Sequence, residues 1–328
     1  MEKRNRPVSG WHHLPEVPLR VSPFFRLPLE PIEMVKWLWS SWFLLSERLI
    51  LVGIAFFCVI WTQPNLVDIK ILKLDWIFQL WLRNIILMTM IAGGLHLYLY
   101  SYKKQGDKLK YDPRPLMVKG RQFSLGGQIR DNMFWTLASG VTVWTFYEVL
   151  IFWAMANGWV PVLTWSDSPV WFIGLFIIIP IWESFYFYWT HRMLHWPPLY
   201  KLVHSVHHRN INVGPWSGLS MHPIEHFIFL GSVLVHWVIP ANPVHILYHM
   251  QYFALTAATT HSGFEGIAIK DQNRLRLGTF HHQMHHRYFE CNYGGLEFPW
   301  DKFFGSFHDG TQEADEAMKA RRAKVTVY

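Results

Sequence analysis

Cysteine is nearly absent. Cys58 and Cys291 are the only two in 328 residues, one inside an apolar run and the other beside a histidine cluster, so no disulfide framework is expected. Charge is sparse as well: Asp, Glu, Lys and Arg make up 16% of the chain, against roughly 25% in ordinary soluble domains. The net charge of +7 comes without a basic run inside any recognisable nucleic-acid motif, which excludes nucleic acid as a partner and leaves an anionic lipid surface. The amino terminus carries basic residues but no short apolar core with a cleavage site, so a removable signal peptide is not expected.

Apolar residues are abundant. Hydrophobic side chains make up 51% and aromatics 17%, the composition of a membrane protein. Four apolar stretches, at 43–61, 81–100, 133–155 and 170–190, approach the about 20 residues that a bilayer-spanning helix needs. Glu47 and Arg48 must then lie near the cytosolic end of the first. Eight Lys and Arg residues lie between 103 and 130 and none between 157 and 170, which puts the former connection and both termini in the cytosol. Two shorter apolar runs, 227–240 and 244–260, are joined by "PANP". They read as a re-entrant or interfacial hairpin, with two further spans as the alternative. The expected organisation is a cytosolic segment over 1–42, a four-helix transmembrane base over 43–190, a histidine-rich region over 191–308 holding the hairpin 227–260, and a cytosolic tail over 309–328.

Sixteen of the 19 histidines lie at or beyond His191. His191 and His195 form "HRMLH"; His204, His207 and His208 form "HSVHH"; His282, His285 and His286 form "HQMHH", directly after His281. Helical residues three and four apart share a face, so each group reads as a cassette aiming its rings at one point. "WPPLY" at 196–200 stops the first helix and lets His191 and His204 approach one centre from different helices. A single HxxxH pair arises by chance, but three groups within about a hundred residues point to metal. Eight imidazoles exceed one tetrahedral site, which implies two metals. Nitrogen ligation suits zinc, iron, copper or nickel. A lipid setting favours two irons, because activated oxygen is what attacks an inert hydrocarbon chain.

The order HxxxH, HxxHH, HxxHH, followed by "NYG" at 292–294 and "WDKFFGS" at 300–306, resembles the fatty acid hydroxylase and sterol desaturase superfamily. The resemblance implies an all-α integral membrane fold with four transmembrane helices and a cytosolic histidine-rich cap. It also implies a membrane oxygenase using two Fe2+ ions and O2. The ligand roles fall on His191, His195, His204, His207, His208, His282, His285 and His286, with His261 in "HSGFE" as a further ligand. Where some relatives carry a second histidine one turn later this chain has Glu265, a lower-ranked candidate together with His281. The reaction expected is hydroxylation or desaturation of a lipid C–H bond in a fatty acyl chain, sphingolipid, aminolipid or sterol. No "HPGG" heme motif and no flavin or nicotinamide fingerprint is present, so electrons are expected from a separate donor, either a cytochrome b5-like protein or a ferredoxin and reductase. The catalytic face is expected in the cytosol, on the cytoplasmic membrane of a bacterium or the endoplasmic reticulum of a eukaryote.

"HPIEH" at 222–226 fits the HxxEH pattern of inverted zinc peptidases and supports the alternative, a zinc-dependent membrane hydrolase with Glu225 as its acid-base group. Pro223 suits a first helical position, which would make His222 a cap and leave His222 and Glu225 as supports. His226 reads as a boundary residue, and His236, His245 and His249 as buried hydrogen-bonded side chains. Glu183 has two readings, a functional group at membrane depth or a helix–helix hydrogen bond. Arg83 and Glu148 read as packing or boundary residues, and Asp301 as an anchor for the terminal loop. A metal transporter or sensor would string histidines along the spans, whereas here they follow them.

Overall fold

Polar caps and prolines decide where the helices begin. In the computed structural model, which describes residues 10–43, 46–270 and 272–325, Ser46 caps α2 (Glu47–Trp61) by accepting from the Leu49 amide. The preceding α1 (Pro31–Leu38) starts on a proline. Residues 1–9 of the expected amino-terminal segment and 326–328 of the tail lie outside the described residues.

Four stretches are long and apolar enough to cross a membrane: Pro31–Trp61, α3 (Leu74–Ser101), α4 (Gln128–Ala156) and α5 (Pro169–Leu194). The chain is thus an all-α membrane protein; its described strands are the short antiparallel pair β1 (Gly266–Ile269) and β2 (Gln272–Arg276). Each of the four helical stretches runs beyond the apolar run expected from sequence, and charged groups within the stretches are held by protein contacts. Arg48 pairs with Glu297, and Thr259 donates to Glu47. Between α3 and α4, Arg83 and Glu148 form a buried ion pair, to which Asn84 (2.9 Å) and Trp144 (2.8 Å) add hydrogen bonds. A charge at that depth is tolerable only when paired in this way.

After α5 the chain turns at Pro197 into α6 (Ser205–His208), then α7 (Pro223–Leu230), a tight 3-10 segment Gly231–Trp237, and α8 (Pro243–Thr260). The segment read as a re-entrant or interfacial hairpin is exposed along part of its first half, at Phe227, Leu234, Trp237 and Val238, while its second half is enclosed by the bundle. α8 packs against α2, α4 and α5 and is buried on every side, the mark of a core helix. Its tip reaches the far end of the bundle, where Leu163 donates to the Ala241 carbonyl (3.0 Å) and Trp171 to that of Pro240 (3.3 Å). His236, His245 and His249 are buried and hydrogen-bonded as read from the sequence: His245 donates to the Phe172 carbonyl (2.9 Å), and His236 Nε2 lies 2.9 Å from His249 Nδ1.

The last elements are α9 (Phe280–Tyr288), α10 (Trp300–Phe303) and α11 (Gln312–Val325). The basic connection between α3 and α4 lies against this histidine-rich end: Tyr111 donates to the Gly263 carbonyl (3.0 Å), and Arg209 donates to the Gln122 carbonyl (3.0 Å) and to Asp131 (3.1 Å). The amino-terminal segment straps over α9, with Trp11 edge-on to Phe280 at 5.0 Å and under the Arg287 guanidinium at 3.7 Å.

Candidate metal centre

The HRMLH pair ends α5, with His191 in its last turn and His195 as the cap before the Pro197 break. The first HxxHH box straddles a π-type turn (Tyr200–His204) and α6, and the second lies wholly on α9, whose start is fixed by Thr279 accepting from the His282 amide. His261 caps the end of α8.

All nine expected ligands come together, in two groups. His191, His195, His204, His208 and His285 form one; His207, His261, His282 and His286 form the other, and within each group the candidate ligand atoms lie within 4.8 Å of one another. Each HxxHH box therefore divides its rings instead of aiming them at one point as the sequence suggested. On a helix, residues i and i+4 differ by about 40° in direction while adjacent residues differ by about 100°. His204 and His208 thus serve one site while His207 turns to the other; His282 and His286 pair likewise, and His285 crosses over.

The tautomers suit ligation. His191 Nδ1 donates to the Tyr293 carbonyl (2.7 Å), His285 Nδ1 to that of Cys291 (2.7 Å), His261 Nδ1 to that of Ala257 (2.8 Å), and His204 Nδ1 to Glu225 Oε1 (2.6 Å). With Nδ1 holding the proton, each Nε2 keeps its lone pair toward the group centre. Nε2 atoms then converge on each other: His195 lies 3.1 Å from His204 and from His208, and His261 lies 2.9 Å from His282 and 3.0 Å from His286. Two sets of nitrogen donors converging this closely, with no acidic side chain among them, fit two metal ions. Burial keeps the rings neutral. It pulls His204 down to about 3 and holds His195, His207, His208, His261, His282, His285 and His286 below the ordinary histidine range, with neighbouring rings adding to the effect on all of them but His204.

The lower-ranked candidates go elsewhere. Glu265 hydrogen-bonds His13 (2.6 Å), and His281 lies beside Asp301 (3.7 Å) and against Phe307, outside both groups. His222 caps α7, accepting from the Ile224 amide, and Glu225 supports His204 from the same helix. His226 is buried rather than at a boundary, bonded to Ser139 (3.0 Å) and the Leu219 carbonyl (3.0 Å). The two histidines of HPIEH thus join no group of potential metal ligands among the described residues, which removes the geometric basis for the zinc hydrolase alternative. Asp301 does anchor the terminal loop: it accepts from the Tyr293 and Gly294 amides (both 2.8 Å) and the Ser306 hydroxyl (2.7 Å). Sequence reasoning missed the backbone carbonyls that hold the rings, since a carbonyl has no residue signature; the proximity of "NYG" to the second box was the available hint.

A cavity of about 750 Å³ adjoins the histidines. It is lined by His191, His204, His207, His261 and His282, by the apolar Leu194, Phe187, Phe229 and Phe253, and by the polar Arg20, Trp37, Arg48 and Glu297.

Residues 176–306 match the family described as fatty acid hydroxylase. The chain is similar to the Delta(7)-sterol 5(6)-desaturase of Gibberella zeae (32% identical over 149 residues, 44% of this chain and 45% of the relative). It is also similar to that of Eremothecium gossypii (30% over 151 residues, 46% and 42%) and that of Saccharomyces cerevisiae (31% over 142 residues, 42% and 37%). The chain thus spans less than half the length of these curated relatives. No solved structure matches it. Residues 176–306, which hold both histidine groups, belong to the fatty acid hydroxylase and sterol desaturase superfamily.

Proposed function

We propose that this protein is a di-iron lipid oxygenase that hydroxylates or desaturates a C–H bond using O2 and electrons from a separate donor protein. The observation that carries the reading is the pair of buried histidine groups, four of whose rings are held through Nδ1, lining one cavity together with Phe187, Phe229 and Phe253. Two bound irons supply the reduction of O2 and the removal of hydrogen from an unactivated carbon. The protein's own part is positioning and shielding. Neutral imidazoles offer lone pairs without bringing in charge, and Tyr293, Cys291, Ala257 and Glu225 fix their orientation. The aromatic walls exclude water from the reacting carbon and favour a hydrocarbon chain, which gains about 0.8 kcal/mol per buried CH2. Substrate enters from the bilayer. The basic connection packed against the histidine end supports a cytosolic catalytic face, where a soluble or peripheral electron donor has access.

The test combines elemental analysis of purified protein with comparative lipid mass spectrometry of cells with and without the gene. Two irons per chain and a lipid gaining one oxygen or losing two hydrogens are expected. Alanine at His207 or His285 lowers bound iron and abolishes turnover, while alanine at His12 does neither. Full activity with zinc alone, or with one metal per chain, overturns the proposal.

A further inference from the structure

The nine histidines are not equally deep. Eight are buried, and His195 is partly exposed. It caps α5 just before the Pro197 break, and beside it Tyr200, also partly exposed, holds its ring 5.6 Å from that of His195, 5.8 Å from His208 and 6.1 Å from His204. Phe289 closes the same corner, 5.0 Å from His208 and 6.3 Å from Tyr200. One aromatic layer thus covers the five-histidine group here. The cavity meets the centre elsewhere: His191, His204, His207, His261 and His282 line it, and His195, His208 and His285 do not.

The stretch of chain over this corner has two faces. Across 201–209 burial follows the helical period: Val203, His204, His207 and His208 turn inward, while Lys201, Leu202, Ser205, Val206 and Arg209 turn outward. Leu202 is 74% exposed, and Trp196, one turn back, 61%. The charge around these apolar groups has one sign. No Asp or Glu occurs from 184 to 224 or from 113 to 130, and the two stretches meet, because Arg209 donates to the Gln122 carbonyl (3.0 Å) and the Ser124 hydroxyl (3.1 Å). Asp131 pairs with Arg209, which leaves Lys119, Arg121, Arg130 and Lys201 exposed, with no acidic partner among the described residues.

We infer that this face is the docking surface for an acidic one-electron carrier protein, and that electrons enter the centre at the five-histidine group through the His195–Tyr200 corner. The inference rests on the lipid oxygenase reading and adds the chemistry and the place of the partner. Trp196, Leu202 and Val206 supply the apolar middle and the unpaired cations the rim, where charge steers encounter. A carrier seated on the outer side of 201–209 is about one helix diameter, ~10–12 Å, from the inner side that holds His204 and His208. Lipid and carrier approach from different sides, so neither has to leave for the other. Each carrier gives up one electron and departs oxidised. Two such electrons, two protons from water and two electrons from the substrate reduce one O2, giving an alcohol and one water, or an alkene and two waters.

The experiment uses the full-length, metal-containing protein in nanodiscs of neutral phosphatidylcholine. Two acidic carriers, the soluble domain of a cytochrome b5 and a plant-type ferredoxin, are tested for binding and for the rate at which each, once reduced, is reoxidised on mixing. At least one is expected to bind saturably and to lose affinity as salt rises past about 0.1 M, where charges are screened within about 10 Å. Arg121→Glu combined with Lys201→Glu lowers affinity by about tenfold and slows reoxidation in step, with reduction by dithionite unchanged. Lys73→Glu, exposed on the connection between α2 and α3 at the far end of the bundle, changes neither. Where the double reversal loses metal, Arg121→Gln with Lys201→Gln takes its place, with a loss of about threefold. Binding of neither carrier, binding indifferent to salt, or equal binding by wild type and the double variant overturns the assignment. So does a double variant that binds carrier normally but retains less phosphatidylglycerol on purification, which would make the face a lipid-headgroup surface. Docking is read without turnover. A protein that binds carrier at this face yet oxidises no lipid counts against the oxygenase reading alone, and lipid oxidation driven by a carrier that ignores both reversals counts against the docking face alone.

Discussion

Glu225 Oε1 lies 2.6 Å from His204 Nδ1, both side chains buried, and so an acidic residue from α7 sets the orientation of a ring on another element. Burial pushes the Glu225 carboxyl well above the usual carboxylate range and pulls His204 down to about 3. Removing such a support lowers metal affinity by about 10–100-fold in comparable sites. Glu225→Ala is expected to fall in that range and Glu225→Gln, which retains an acceptor, to lose less. His222→Ala removes only the cap of α7, at about 1 kcal/mol of stability with metal content unchanged. Metal titration of the three variants checks this; equal losses in Glu225→Ala and His222→Ala would mean that the HPIEH segment acts as one unit.

Asp301 acts on the centre at one remove. It fixes the Tyr293 and Gly294 amides, and the Tyr293 carbonyl in turn holds His191. Asp301→Ala leaves two buried amides and a hydroxyl without their acceptor, costing about 3 kcal/mol or more. The expected result is a lower melting temperature together with loss of metal from the five-histidine group. A variant that melts early but keeps full iron occupancy would show the loop to be structural only.

The spacing of the histidine boxes made the clustering of these histidines legible, because i, i+3 and i+4 positions have a fixed relation on a helix. Their division between two sites was less so. It depends on how α5, α6, α8 and α9 approach one another, which no single cassette records. Pro223 disclosed the role of His222, since a proline at the first helical position makes its neighbour the cap. Glu265 misled for the opposite reason: its partner His13 is 252 residues away, and no local pattern reveals that distance. The burial of His245 and His249 was legible from the apolar run around them, whereas the packing of α8 against α2, α4 and α5 was not, because the run is short for a span and its neighbours are distant in sequence.

Protonation opposes both the fold and the metal. His226 lies outside the four spans; burial pulls it down to about 4 from an ordinary value of 6.5, although its bond to the Leu219 carbonyl works the other way. Above pH 6.5 it is neutral folded and unfolded, and its contribution is complete. As pH falls from there toward about 4, the unfolded chain takes up a proton that the folded one refuses, and up to about 3 kcal/mol is lost. The depressed ligand histidines add in the same sense. Glu225, raised, acts oppositely, but among the groups outside the four spans the depressed histidines outnumber it. Chelator-treated protein is therefore expected to melt at a lower temperature at pH 5 than at pH 7, and iron-loaded protein to release metal over the same interval. A melting temperature that is unchanged or higher at pH 5 would mean that the rings are hydrated and protonate in place.

Sidedness decides whether an electron donor can reach the centre. α5 runs from Pro169 to Leu194, about 39 Å at 1.5 Å per residue, with the 157–170 connection at one end and the histidines at the other. The 103–130 connection, with its eight basic residues, packs against the histidine end. Because basic loops are retained in the cytosol, that end is expected to face the cytosol and Ser166 the outside or lumen. Ser166 and Gln312 are both exposed, while Cys58 and Cys291 are buried and give little background. A cysteine at Ser166 should react with an impermeant thiol reagent from the outer or lumenal side, and one at Gln312 only when the cytosolic side is opened. The reverse pattern would put the histidines outside, away from cytosolic reductants, and would require an external electron source.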